Sequence, residues 1–371
     1  MEAAKPRRQE QEKATEDVTE VAHGVLRMQL PISMPGLGHV NCYAILDPDG
    51  ATVIDPGMPT PGSFRALEAR LATAQLRVED IHTVLVTHSH PDHFGGAARI
   101  IDRSGARLIA HRSFSLGFAK PHGPEVSVDD LRAHEDAEAG KTPEGDEVRN
   151  RAHQPFTPER PTWTGQTPWG GDAPRPPFRM RMRFAAMRLL GRAMGVPTIT
   201  HPTLGGDVLK LGGREFFVVH TPGHTEDHIC LHDPQEEIFL AGDHVLPSIT
   251  PHISGMTRNP DPLKAFFDSL DRAAAIPHIR RALPAHGHPF DDLAARCAAI
   301  KQHHHERLGK VKSIARELGP ATVEAFMQRL FKERSWGAMA ASETYAHLEH
   351  IRLLGDADCH KNADGQLIYE L

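Results

Sequence analysis

IHTVLVTHSHPDHFGG, residues 81–96, is the stretch on which the fold turns. Ile81–Val86 has the length and β-branched content of a buried strand. It runs straight into His88-Ser89-His90-Pro91-Asp92-His93 and then Gly95-Gly96, so four metal-capable side chains stand within six residues at a strand's end. His88 and His90 are two positions apart, and an extended segment or tight loop aims both at one ion. Asp92 and His93 follow on the loop toward the next helix, within reach of a second ion. Imidazole nitrogen and carboxylate oxygen suit Zn2+ at about 2.0–2.2 Å and also suit Mn2+ or Fe. The chain has 26 histidines but only 3 tyrosines and 3 tryptophans. Most of those histidines are expected on the surface, so a lone one carries little meaning and spacing has to supply it.

Outward from this motif the chain alternates strands and helices. Val40–Leu46 and Thr52–Ile54 flank the turn cluster Asp47-Pro48-Asp49-Gly50 and read as a hairpin. Ser63–Leu76 carries Phe64, Leu67, Leu71 and Leu76 near helical spacing, Ala97–Ile101 reads as helix, and Arg107–Ala110 as strand. Further on, Asp207–Leu211 and Glu215–His220 form a hairpin across Gly212-Gly213. Ile229–His232, Ile238–Ala241 and Arg281–Pro284 read as strands, and Pro262–Ala275 as a helix. Between the two halves, residues 112–206 hold ten prolines from 121 to 178 and few apolar runs, which marks a long insertion. Its end, Arg179–Met194, interleaves methionine and arginine at helical spacing. It reads as an amphipathic helix packing on the body, or as a cap whose methionines form an adaptable wall and whose arginines meet an anion.

Three more segments repeat the theme of a ligand-type side chain beside glycine at a strand's end: Thr221-Pro222-Gly223-His224-Thr225, Ala241-Gly242-Asp243 and Pro284-Ala285-His286-Gly287-His288. Such ends are where α/β proteins build their sites. Taken together, HSHPDH, TPGHT, AGD and AHG resemble the metallo-β-lactamase superfamily over about residues 21–290. The resemblance implies an α+β fold, a four-layer αββα sandwich. It implies one divalent cation on His88, His90 and His224, a second on Asp92, His93 and His286, and Asp243 bridging the two. His286 is chosen over His288 because family members place the ligand directly before a glycine. Two such cations, most commonly Zn2+ with Mn2+ or Fe as alternatives, acidify a bridging water, and the hydroxide attacks a carbonyl or phosphorus centre. Asp92 is then a catalytic residue as well as a ligand, since it can hold the proton of that hydroxide and orient it. His228 and His244 are candidates for supporting the ligands from behind, or are ordinary packed histidines.

The departures within the family narrow the activity. β-Lactamases of this fold usually carry cysteine where Asp243 stands, and flavodiiron proteins carry glutamate at the position of His90. The aspartate is similar to glyoxalase II, lactonases and ribonuclease Z. Thr225-Glu226-Asp227-His228, Asp243-His244 and the run HHHER with His304 and Arg307 resemble the lactamase-β-2-like branch, some of whose members are described as endoribonucleases. The expected activity is hydrolysis of a thioester, ester or lactone, with single-stranded RNA cleavage as the alternative.

After residue 290 the pattern becomes helical: Asp291–Leu318 as one helix or two, Thr322–Phe331, Ala338–Leu354, and a small hairpin over Asp356–Glu370. Three helices and a β-wing make a winged-helix-like C-terminal domain over 291–371, read as a docking or oligomerisation module because it is not notably basic. Net charge is −6 and aromatics are 6 %, so neither an electrostatic footprint nor a stacking platform for nucleic acid is evident. The expected partner is a small-molecule acyl substrate, with a homodimer left open and no membrane contact. Cys42, Cys230, Cys297 and Cys359 form no CxxC pair, which argues against a disulfide framework or thiolate metal site. Residues 1–20 read as a polar, frayed tail without the apolar segment of a secretory signal, and no long apolar run follows, so the expected compartment is the cytoplasm.

Overall fold

The computed structural model describes residues 8–34, 36–114, 166–171 and 197–371. Two sheets lie face to face. The first has seven strands in chain order: β1 (Val18–Ala22), β2 (Val25–Met34), β3 (Leu37–Asp47), β4 (Gly50–Ile54), β5 (Ile81–Val86), β6 (Arg107–His111) and β7 (His201–Thr203). β1 to β4 pair antiparallel and β4 to β7 parallel. The second runs β12-β11-β10-β9-β8, from β8 (Val208–Leu211), β9 (Arg214–His220), β10 (Ile229–Asp233), β11 (Ile238–Gly242) and β12 (Arg281–Pro284).

The period of two along each strand sorts side chains into three apolar layers. Tyr43, Ile45, Leu85, Ile229, Leu231, Ile238, Leu240 and Leu283 meet between the sheets. Their neighbours Cys42, Ala44, Val84 and Val86 face the other way, toward α1 (Pro61–Thr73) and, beyond the short α2 (Pro91–Phe94), α3 (Ala97–Ser104). On the second sheet Cys230, Phe239 and Ala241 turn toward α4 (Pro262–Ala274). The result is helix, sheet, sheet, helix, the αββα sandwich. Its strand ends at one edge carry Asp55, His88, Asp243 and His286, each immediately or shortly after β4, β5, β11 and β12. Among the described residues no helix is long and apolar enough to cross a membrane.

The chain beyond residue 290 forms one 26-residue helix α5 (Leu293–Leu318), then β13 (Ala321–Thr322), α6 (Val323–Leu330), α7 (Ala338–Leu353), β14 (Asp358–Lys361) and β15 (Leu367–Glu370). The three strands pair in the order β13-β15-β14. The apolar core of this region is continuous with that beneath the second sheet: Phe266 and Leu270 of α4 share one cluster with Val311, Phe326 and Tyr369. Within the insertion, Trp169 is buried against the same region, its Nε1–H donating to Glu324 at 2.8 Å. The expected helix Arg179–Met194 lies outside the described residues.

Residues 8–20 correct the expectation of a frayed tail. Glu10 is fully buried, and its carboxylate accepts from Ser248 N at 2.8 Å, Ile249 N at 3.1 Å and the Ser248 hydroxyl. β1 opens at Val18 and pairs with β2. Polar residues lay this segment down because their partners are backbone groups of a distant loop, which leaves no apolar periodicity to read. E10A is expected to lower stability by about 2–3 kcal/mol, since three buried donors lose their acceptor; a fall in the urea midpoint at unchanged slope measures it.

Candidate metal centre

All seven residues singled out above come together at the sandwich edge in two adjoining groups. His88, His90, His224 and Asp243 form one; Asp92, His93 and His286 form the other, and within each group the donor atoms lie within 4.8 Å of one another. Asp243 straddles both. Its Oδ2 is 3.5 Å from His224 Nε2, 3.8 Å from His88 Nε2 and 3.6 Å from His93 Nε2, while Oδ1 is 3.2 Å from His286 Nε2. Asp92 Oδ2 lies 3.5 Å from His286 Nε2 and 3.6 Å from His93 Nε2. His288 points elsewhere and pairs with Glu12 at 2.8 Å.

The ring tautomers follow from the outer partners. Thr87 Oγ1 donates to Asp55 Oδ2 at 2.7 Å, so it accepts from His88 Nδ1–H at 3.0 Å. His224 Nδ1–H donates to the His252 carbonyl at 2.8 Å, and His286 Nδ1–H to the His39 carbonyl at 2.6 Å. His93 Nδ1–H donates to Asp55 Oδ2 at 2.8 Å. Each Nε2 is thereby left as a lone pair facing the centre. His90 Nδ1 stands 3.0 Å from both His88 Nε2 and His224 Nε2. It has at most one proton to give, so at least one of these contacts sets lone pair against lone pair. His93 Nε2, His286 Nε2 and Asp243 Oδ1 are buried without a hydrogen-bond partner. Converging acceptors in a dry site are repulsive unless a cation shares them, so this donor set fits divalent metal.

Charge separates the two groups. Burial, reinforced by neighbouring imidazoles, holds His88 and His90 well below the usual histidine range, and burial lowers His224. At His93 and His286 burial also opposes charge, but the carboxylates outweigh it and raise both: Asp92, Asp243 and Asp55 at His93, and Asp243 with Asp92 at His286. The carboxylates thus favour positive charge at the second group, the kind of charge a divalent cation would supply there.

Outer residues carry much of this order, and of these sequence reading missed Asp55 and Asn41. Asp55 is buried at the end of β4 with φ 53°, a left-handed conformation that costs an aspartate about 1 kcal/mol or more. It accepts from Thr87 N at 2.8 Å as well as from Thr87 Oγ1 and His93. Its setting, Ile54-Asp55-Pro56-Gly57, is an acid beside glycine at a strand end, the rule that found Asp243. Asn41 Nδ2–H donates to the Pro284 and Gly287 carbonyls at 2.8 and 2.9 Å and fixes the His286 loop. His228 supports Asp243: its Nε2 accepts from Asp243 N at 3.0 Å while its Nδ1–H donates to Thr221 Oγ1 at 2.7 Å. Gly242, at φ 51°, leaves room for that ring, since a Cβ there would stand 2.6 Å from His228 Nε2. His244 instead packs edge-on against Phe266, ring centroids 5.2 Å apart.

Comparison with known proteins places the chain in a family. The sequence profile of the metallo-β-lactamase superfamily matches residues 35–286, and the chain belongs to that superfamily. It is similar over nearly its whole length to the "Probable metallo-hydrolase YqjP" of Bacillus subtilis, 26% identical across 90% of this chain and 92% of that protein. The crystal structure of a beta-lactamase domain protein from Burkholderia ambifaria superposes with a TM-score of 0.67 at 25% identity, covering 97% of this chain and 96% of that one. Short segments match further proteins. One is the human acyl-coenzyme A thioesterase MBLAC2, 49% identical over 45 residues, which are 11% of this chain and 16% of that protein. Another is the hydroxyacylglutathione hydrolase of Maricaulis maris, 36% identical over 24% of this chain and 34% of that protein.

Two outcomes follow. Asparagine tolerates the backbone of Asp55 but replaces one acceptor oxygen by a donor, so D55N is expected to fold and to bind metal about 10–100-fold more weakly; competition with a chelator reads this directly. Asp227, whose Oδ1 accepts from Ser89 Oγ at 3.1 Å, has its carboxyl pushed up from 3.8 to about 7 by burial, against the hydrogen bonds of Thr225 and Ser89. The stability it contributes to the metal-free protein is full below pH 3.8 and is lost as pH rises through about 7. D227N, always neutral, is expected to gain on the wild type across that window, and urea midpoints of metal-stripped protein at pH 5 and pH 8 measure the gap.

Proposed function

We propose that this protein is a metal-dependent hydrolase of carbonyl bonds, acting on a thioester, ester or lactone with a pair of divalent cations, zinc foremost. The observation that carries the reading is the straddling position of Asp243 between two sets of buried acceptors, 3.5 Å from His224 on one side and 3.2 Å from His286 on the other. A cation pair bound there supplies Lewis acidity and a water acidic enough to ionise near neutral pH. The residues around it divide the remaining tasks. Neutral His88, His90 and His224 hold one position without adding charge, Asp92 brings negative charge to the other, and Asp243 shares its charge between the two. Asp92 Oδ2 faces His93 and His286, which leaves Oδ1 to take the proton of the attacking water and aim its lone pair at the acyl carbon. Burial of these groups, most of them under 9 % exposed, keeps bulk water from competing.

Nucleophilic thiol chemistry finds no support. All four cysteines are free, and burial pushes the thiols of Cys42 and Cys230 far up, so neither offers a thiolate at neutral pH. The preference for thioesters is supported by the segment matches to proteins named for acyl-coenzyme A and hydroxyacylglutathione hydrolysis. We read the C-terminal helices and three-stranded sheet as a winged-helix-like module that braces the catalytic body. The insertion over residues 112–206, read from the sequence as a helix packed on the body or as a cap and lying mostly outside the described residues, is the segment we expect to select the acyl group.

Metal-stripped protein is expected to be inactive on acyl-coenzyme A, acyl-glutathione and lactone panels and to recover on adding Zn2+ or Mn2+. H88A and D243A are expected to lose at least about 1,000-fold in kcat/KM, about 4 kcal/mol of transition-state stabilisation. Uniform inactivity of the reloaded wild type across the panel would refute the carbonyl assignment.

A further inference from the structure

The described C-terminal helices supply none of the seven candidate ligands, yet α7 reaches the centre along one hydrogen-bonded path. It presents Ser342 and Glu343 to the segment 252–255. Ser342 Oγ accepts from Gly255 N at 2.9 Å, and Glu343 Oε2 accepts from His252 Nδ1 at 3.2 Å. Gly255 lies so close to α7 that a Cβ would stand 2.7 Å from the Ser342 carbonyl. The other carboxylate oxygen, Glu343 Oε1, is paired with Arg307 of α5. At the far end of the path, the His252 carbonyl accepts His224 Nδ1–H at 2.8 Å, the bond that leaves His224 Nε2 facing the centre. The His252 ring is itself near enough to oppose charge on His90 and His224.

Glu343 is a costly residue to place here, with its side chain 13% exposed. Burial alone would raise its carboxyl; the hydrogen bond from His252 and the charges of Arg307 and His347 outweigh that and hold it at about 2. A plain helix-to-helix tie would need only Arg307. The second oxygen, turned toward His252, is the feature that such a tie leaves unexplained.

We propose that Glu343, braced by Arg307, is a positioning residue for the metal centre: by gripping the His252 imidazole it fixes the His252 carbonyl, and through that carbonyl the ring and tautomer of His224. This rests on reading His88, His90 and His224 as one metal position. The C-terminal region then completes the centre without touching it, and acts on one of the two positions only, because His93 and His286 are fixed by Asp55 and the His39 carbonyl.

The test is a cobalt(II) titration of the metal-stripped full chain, followed by visible absorption and by the paramagnetically shifted imidazole N–H resonances. E343A is expected to weaken cobalt at the three-histidine position by about tenfold, the lower end of what outer partners of ligands contribute, and to shift or broaden the His224 Nδ1–H resonance. The other position should hold within about twofold, with the His93 and His286 resonances unmoved. E343Q keeps an acceptor for His252 and should restore most of the affinity. H252A keeps the backbone carbonyl but removes the grip, and should reproduce E343A; should E343A not fold, E343Q and H252A carry the comparison. Titrations of E343A that superimpose on the wild type, equal weakening of both positions, or an unaffected H252A would each overturn the proposal. A wild type that takes up no cobalt would bring down the metal-centre reading itself, an outcome distinct from any of those three.

Discussion

Everything at the sandwich edge answers to one constraint: buried lone pairs have been made to face one another. Left to relax, imidazoles whose acceptor nitrogens sit 3.0 Å apart would rotate away, and each unpaired polar atom would cost about 1–3 kcal/mol. Four of the five rings are held because each is gripped from behind by a group that admits only one tautomer. Thr87 grips His88, Asp55 grips His93, the His39 carbonyl grips His286 and the His252 carbonyl grips His224. These grips come from different strands and loops, so no local segment could assemble the centre alone. The two facing sheets are what bring the grips into register, and a cation is what turns their mutual repulsion into coordination.

The inner layer was legible in the sequence for a physical reason, and the outer layer was obscure for another. Metal-capable groups must be specific side chains, and four of them stand beside one tight turn; hence HSHPDH stands out even in a histidine-rich chain. Two of the four outer grips are backbone carbonyls, of His39 and His252, which any residue could supply. Asp55 could have been found by the logic that found Asp243, but an acid before Pro-Gly reads equally as a turn. Strands show the same division. β10 and β11 are short apolar runs with clear bounds, while β2 contains Pro31, which demotes a run in sequence reading; it is accommodated where the β2–β3 register shifts between Pro31 and Met34. β7, three residues long, has no pattern to read and exists because β6 offers it an edge.

The C-terminal region shows why a boundary near residue 290 is chemical rather than mechanical. The candidate ligands end at His286, but the apolar core runs on from Phe266 to Val311, Phe326 and Tyr369 without a seam. A residue in α7 therefore moves with the loop it touches, and the loop with His224. Rigid packing of this kind transmits position over several residues with no conformational change, because a dense interior has no slack in which to lose it.

Histidine is what makes that interior polar and dense at once. Among the described residues eleven histidines are buried: His39, His88, His93, His111, His224, His228, His244, His286, His304, His347 and His350. They outnumber the exposed ones among the described residues, His23, His201, His278, His303, His305 and His360, against the expectation of a mainly surface role. With only 3 tyrosines and 3 tryptophans, imidazole takes the part of the polar aromatic. A chain of rings runs from His228 past His244 and Phe266 to His304 and His347, with centroids 5.2–6.0 Å apart. Burial holds His228, His244, His304 and His347 below the usual histidine range, so each sits in this core as a neutral ring with one donor and one acceptor. The same shift ties the fold to pH. A histidine whose folded pKa is depressed contributes stability that is present above about pH 6.5 and drains as the pH falls, because the unfolded chain takes up protons that the folded core refuses. Acid thus presses on the whole interior, and on the metal-binding lone pairs at its edge, through one chemical group used in two ways.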